Sequence, residues 1–124
     1  MAKTPITIFA LTAVTAGTTT KASPPANGIG AHVDVATVLT AGSTVGMRIK
    51  NGTAPGVAGS MTLQQSPDGG TSWFDVYTVG GTTVLNEDTT VTISAPRGIR
   101  GLRALCYGHT TNNVSYEAIL TTGE

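Results

Sequence analysis

The run 44-TVGMRIK-50 alternates without a break: Val45, Met47 and Ile49 fall on one side of an extended chain, and Thr44, Gly46, Arg48 and Lys50 on the other. A period of two over about four to eight residues marks a β-strand with one face buried. In a helix the same apolar residues would be spread around the circumference. A slip of one residue would turn all three apolar side chains to water, so the pattern fixes register as well as element type.

The same period recurs on both sides of this run. In 31-AHVDVATVLT-40, Val33 and Val35 share a face, with Leu39 further on. In 57-VAGSMTLQQS-66, Met61 and Leu63 oppose Thr62 and Gln64, and in 89-TTVTISA-95, Val91 and Ile93 point inward. The runs 99-IRGLRALCY-107 and 114-VSYEAILTT-122 complete the set, whereas 73-WFDVYTV-79 carries large residues on both faces. The separators 51-NGTAPG-56, 67-PDGG-70, 80-GGTT-83 and 108-GHTTNN-113 are rich in turn-forming residues. No stretch holds a helical period, and the strong helix formers Lys, Glu and Leu are thin. The fold predicted is all-β: an antiparallel β-sandwich of about seven or eight strands, immunoglobulin-like or jelly-roll, with strand order left open.

At 124 residues the chain fits one domain by the usual range of roughly 100–200 residues. Residues 1–30 read as an N-terminal arm and linker, and residues 31–124 as the sandwich domain. The linker part, 15-TAGTTTKASPPANGIG-30, is low in complexity and reads as extended and unpacked. Seven Lys and Arg balance seven Asp and Glu, and charged residues make up only 11%. No basic stripe for nucleic acid is present, and a neutral surface offers little repulsion to association. The apolar start with Lys3 loosely resembles a secretory leader. Thr7, Thr12 and Thr15 interrupt it, however, and it falls far short of the roughly 20 apolar residues of a membrane span. The single cysteine, Cys106, lies in the apolar run 102-LRALCY-107 and is expected in the core.

The stretch 66-SPDGGTSW-73 reads as the turn of a hairpin. Pro67 presets φ for a turn position, Asp68 folds its carboxylate onto nearby backbone N–H groups, and Gly69 and Gly70 tolerate positive φ. The stretch resembles the Asp-box pattern, Ser-x-Asp-x-Gly-x-Thr-Trp, of sialidase blades, with Ser72 in place of Thr. In that family the motif lies away from the catalytic site, so the resemblance implies structural turn roles for Ser66, Asp68, Gly70 and Trp73.

Catalytic chemistry has little to draw on. His32 and His109 show no ligand-like spacing; His32 is two residues from Asp34, and His109 reads as a solvated hairpin residue. No nucleophile elbow or phosphate loop is present. No catalytic residue, cofactor or metal is expected. Arg97, Arg100 and Arg103 fall every third residue, with Arg97 and Arg103 on one strand face. They are either solvated rim charges or bidentate contacts to an acidic partner surface.

Taken together, the hairpin 61-MTLQQSPDGGTSWFDV-76, the late run 97-RGIRGLRALCY-107 leading through a Gly/Thr/Asn turn into 114-VSYEAIL-120, and the Thr/Gly/Ala/Val composition resemble the small all-β capsid-decoration, or cementing, proteins of tailed bacteriophages. The resemblance covers about residues 31–122. It implies a non-enzymatic virion protein on the outer capsid surface, made in the host cytoplasm and stabilising the head. The implied partners are the major capsid protein and copies of itself, as a trimer or other homo-oligomer, with neither nucleic acid nor membrane. On this reading Ile6, Ile8, Phe9 and Leu11 of the arm contact a neighbour by strand addition, and Arg97 and Arg103 join them. A chain without residues 2–20 is then expected to fold but not to bind. A tail, baseplate or fibre role stays open, as does a carbohydrate-binding or adhesin module using Trp73, Tyr77, Tyr107 and Tyr116.

Overall fold

The computed structural model describes residues 5–17, 20–35, 42–95 and 101–122. Within them lie eight strands: β1 (Pro5–Val14), β2 (Val33–Asp34), β3 (Thr44–Lys50), β4 (Ser60–Ser66), β5 (Phe74–Gly80), β6 (Asp88–Ser94), β7 (Gly101–Tyr107) and β8 (Val114–Thr121). They form two antiparallel four-stranded sheets, ordered β1-β8-β3-β6 and β2-β7-β4-β5. The all-β sandwich expected from the period-two runs is the fold observed. Arg97, Arg100 and Leu39 lie outside the described residues.

The order follows from one long hairpin. Its pairs are β4 with β5, β3 with β6, β2 with β7 and β1 with β8, and the turn after Ser66 is its tip. Rolling that hairpin on itself sets β8 beside β3 and β7 beside β4, which closes each sheet. This is jelly-roll topology, and it decides between the two sandwich types left open by the sequence.

The core fills the space between the sheets. Val45, Met47, Ile49, Ala118 and Leu120 come from one side, and Met61, Leu63, Leu102, Ala104 and Cys106 from the other, all buried. Burial pushes the Cys106 thiol well above its ordinary range, as expected where the thiolate has no water. Val91 and Ile93 on β6 are partly buried against the same core.

Residues 5–14 correct the reading of the first thirty residues as an arm outside the domain. They form β1, the edge strand that pairs with β8 from Pro5 opposite Thr121 to Val14 opposite Val114. Ile8 and Phe9 are buried in the chain's own core, Ile6 packs against it, and Leu11 is 49% exposed. Strand addition of this segment occurs within the molecule, so Ile6, Ile8 and Phe9 are not free to contact a partner. The pattern was obscured by register shifts between Thr7 and Phe9 and between Phe9 and Thr12. A bulge reverses the in–out phase, so two successive residues, Ile8 and Phe9, both face inward.

The linker is also packed. A short 3₁₀ turn, Ala26–Gly28, precedes Ile29, which bridges to Leu105, and the Gly30 N–H donates to the Ala104 carbonyl at 2.8 Å. A Cβ on Gly28 would sit 2.2 Å from the Cys106 carbonyl oxygen. Only glycine allows this approach.

His109 is likewise corrected from a solvated turn residue to a fully buried one. Its Nε2 lies 2.9 Å from the Val14 carbonyl, which only accepts, so Nε2–H donates and Nδ1 accepts from the Tyr116 hydroxyl at 2.7 Å. The Gly17 N–H donates to the His109 carbonyl at 3.1 Å. The imidazole thus ties the end of β1 to the β7–β8 connection. Tyr116 is fully buried, and burial raises its phenol pKa.

Two outcomes follow. Removing residues 2–20 takes Ile8, Phe9 and Val14 out of the core, together about 5–9 kcal/mol of burial. That is comparable to a whole domain's stability of about 5–15 kcal/mol, so the truncated chain is expected to lose its cooperative melt and near-UV signal. A folded, soluble truncation would show that β1 is dispensable. His109→Ala removes the imidazole bonds to the Val14 carbonyl and the Tyr116 hydroxyl, leaves the latter only a long 3.5 Å bond to the Tyr107 carbonyl, and opens a void, for a loss of about 2–4 kcal/mol. Tyr116→Phe, which removes only the hydroxyl, should lose about 1–2 kcal/mol in the same denaturant titration.

Candidate functional site

With Met61, Leu63, Leu102, Ala104 and Cys106 turned inward, the alternate residues of β4 and β7 face outward. Register sets Gln64 between Arg103 and Asp75, and Thr62 between Leu105 and Thr78. The polar side chains bond across the strands. Gln64 Nε2 donates to Asp75 Oδ1 at 2.9 Å, and Arg103 Nε donates to Gln64 Oε1 at 2.8 Å. The Lys21 ammonium, reaching over from the linker, pairs with the other Asp75 oxygen. Thr62 Oγ1 lies 2.9 Å from Thr78 Oγ1 and 2.8 Å from the Tyr107 hydroxyl.

Charge follows these contacts. The Gln64 bond first, and then that of Lys21, holds the Asp75 carboxyl below its ordinary range; the bond to Asp75 raises Lys21 in turn. Both groups are exposed, so the pair contributes little to stability. Desolvation lowers the Arg103 pKa, and its guanidinium lies 4.3 Å from the Trp73 ring centroid in cation–π contact. The His32 ring meets Trp73 edge-on at 5.7 Å. Gly101 seats that ring, since a Cβ there would be 2.0 Å from His32 Nε2.

Trp73 also closes the hairpin tip. Asp68 Oδ1 accepts from the Ser66 hydroxyl (2.9 Å) and from the N–H groups of Thr71 (3.1 Å) and Ser72 (2.8 Å). Ser66 Oγ accepts the Gly70 N–H at 2.8 Å, and Trp73 Nε1 donates to the Gly70 carbonyl at 3.1 Å. Gly69 and Gly70 carry φ of 78° and 105°, which only glycine adopts without strain. The Ser72 backbone bond first, with those of Ser66, lowers the Asp68 pKa to about 2. So firmly ionised a carboxylate is a weak base at neutral pH.

Of the residues singled out in the sequence, Ser66, Asp68, Gly70 and Trp73 meet in this turn, and Arg103 joins them through Trp73. Arg103 is committed within the chain, to Gln64 and the indole. Lys21, His32, Gln64 and Asp75 gave no local sign of belonging together, because the four come from separate elements. Of the aromatics considered for sugar stacking, Tyr116 is buried and one Trp73 face is covered by Arg103. Tyr77 is 41% exposed. Among the described residues, no group of three or more His, Cys, Asp or Glu is placed to hold a metal ion, and no helix is long and apolar enough to cross a membrane.

A second surface lies at the flank where β5 and β6 end their sheets. Neither strand has a partner on its outer side among the described residues. β6 runs in unbroken register with β3 over seven residues, Asp88 to Ser94, while β5 carries one shift, opposite Leu63 and Gln64. Phe74 (55%) and Tyr77 on β5 are exposed, as are Val84 and Leu85 in the connection to β6. The opposite flank differs. β1 is interrupted by two register shifts, and β2 is two residues long. Short and bulged edges resist pairing, whereas long regular ones invite it.

No protein-family model matches the chain, and no curated protein matches it. Among solved structures, one chain in the structure of infectious bursal disease virus, Gx strain, overlays with a TM-score of 0.49 at 11% identity; the match covers 98% of this chain and 32% of that one.

The turn makes a pH-dependent contribution of known sign. The Asp68 carboxyl is depressed in the folded chain from the ordinary 3.8 to about 2. Its stabilisation is therefore full above pH 3.8 and is lost as pH falls towards 2. Asp68→Asn is expected to lower Tm by a few degrees at neutral pH and to flatten the acid limb of the Tm–pH curve over that window. Superimposable acid limbs for the two proteins would exclude a charged role for Asp68.

Proposed function

We propose that this chain is a virion structural protein, and within that class a non-enzymatic capsid-decoration protein of a tailed bacteriophage. It binds the outer capsid surface, with the major capsid protein and copies of itself as partners. The observation that carries this reading is the β5–β6 flank. Two adjacent seven-residue edge strands present backbone donors and acceptors beside Phe74, Tyr77, Val84 and Leu85. Neither strand carries a lysine or proline. The one charge on each, Asp75 and Asp88, is engaged by Lys21 and Arg48 respectively. Of the two, β6 in its unbroken register is the unguarded edge, a liability for a protein that stays alone and an asset for one that assembles.

The anchor assigned to the N-terminal segment thus moves to the opposite side of the molecule. Jelly rolls serve viral capsids, lectins and cupins alike, so the fold class is compatible with a virion role by analogy only. The sequence resemblance to decoration proteins favours the capsid over a tail, baseplate or fibre. Zero net charge permits close packing of many copies.

The test is cosedimentation of the purified protein with tailless phage heads stripped of decoration. Burying Phe74 and Tyr77 contributes about 1.5–3 kcal/mol each, so Phe74→Ser/Tyr77→Ser should weaken binding by at least about tenfold. Its melting temperature should stay near that of the parent chain. Undiminished binding by this variant would remove the flank as anchor. Binding to isolated tails but not heads would move the protein to the tail or baseplate, and indifference to both would end the virion reading.

A further inference from the structure

Gly46 has no explanation inside the fold. It sits in the middle of β3, an interior strand paired in unbroken register with β6 on one side and β8 on the other. Its φ is not positive, and among the described residues a Cβ on it would meet nothing closer than 4.0 Å. A glycine there weakens the strand, and such positions mark bulges, tight bends or the close approach of a ligand or another backbone. The regular register excludes the bulge, and the empty space excludes an approach by any of the described residues.

What the missing side chain leaves is a shallow depression of about 220 Å³ on the outer face of the β1-β8-β3-β6 sheet. Gly46 forms its floor and Ile119 an apolar wall; Thr90, Thr92, Arg48 and Glu117 stand around it. Register places Arg48 between Thr90 and Glu117, and Gly46 between Thr92 and Ile119. Arg48 is held in place by Asp88, whose Oδ2 accepts from Nη2 at 2.7 Å and from Nε at 3.2 Å. The remaining guanidinium N–H groups are donors, and an ionised Glu117 offers only acceptors.

From this geometry we infer that the Gly46 depression is a binding site for a single neutral pyranose ring. The lining carries one charge of each sign, Arg48 and Glu117, so neither a cation nor an anion is favoured. A polyhydroxylated neutral ring suits both groups, because a hydroxyl can donate to Glu117 while it or its neighbour accepts from Arg48 or a threonine. The flat C–H face of the ring lies on Gly46 and Ile119. The depression is smaller than the roughly 300–1,000 Å³ of drug-sized sites, which limits it to one ring and to weak binding. On a particle surface, many weak sites act together through multivalency. The site is separate from Trp73 and Tyr77, and it stands whether or not the virion reading does.

Methyl pyranosides of glucose, galactose, mannose and N-acetylglucosamine, titrated into the full chain and followed by amide chemical shifts, test this. At least one should shift the amides of Gly46, Arg48, Thr92, Glu117 and Ile119. Gly46→Val fills the depression with a side chain that suits a strand, so Tm should be unchanged or higher while the dissociation constant rises at least about tenfold. Glu117→Gln should weaken binding without affecting Tm. No response to any of the four sugars overturns the proposal, as do shifts confined to the Trp73–Tyr77 region or undiminished binding by Gly46→Val. Loss of self-association or particle binding by Gly46→Val, with no sugar bound by the parent chain, would assign the depression to a partner's side chain instead.

Discussion

β8 sits between β1 and β3, and its inward residues Val114, Tyr116, Ala118 and Leu120 are all fully buried. A strand paired on both edges and covered on one face has no freedom of register: any shift breaks two ladders and exposes four core side chains. β1 and β8 therefore meet, and the rolled hairpin closes only when both are in place. His109 secures that closure at one end, holding the Val14 carbonyl and the Tyr116 hydroxyl from a site no water reaches. Because a buried imidazole that lost either partner would leave polar groups unpaired, the contact specifies the docking of β1 as well as stabilising it.

At the other end of the rolled hairpin, the tip is built from short-range bonds. One Asp68 oxygen accepts three hydrogen bonds, and two glycines take the backbone through positive φ. The turn then delivers Trp73 to the outer face of the second sheet, where Arg103 and His32 enclose it. The aromatic and charged residues that invite a binding hypothesis are thus largely engaged with one another. Surface chemistry left unengaged lies elsewhere: along the β5–β6 flank, and around Gly46 on the outer face of the first sheet.

These two places differ in kind. The flank offers backbone groups and apolar side chains, which suit a protein partner laid alongside. The Gly46 depression offers opposed charges around a small apolar floor, which suits a neutral polar ligand.

Much of the fold was readable in the residues themselves. Val45, Met47 and Ile49, Met61 and Leu63, and the alternating residues of β8 announced their strands and buried faces, because a period of two depends only on neighbours along the chain. The tip at 66–73 was equally local, since Asp68 reaches donors three and four residues on. What sequence could not convey was partnership. From sequence β1 reads as an arm because its bulges break the period, and an apolar extended segment looks the same whether it completes its own sheet or a neighbour's. Whether 73–79 lay inside or at an edge, whether His109 met water or Tyr116, and that Lys21, Gln64 and Trp73 share one surface were settled only by the way the hairpin rolls. That roll is a balance of contacts between residues as far apart in sequence as Pro5 and Thr121, and no local pattern records it.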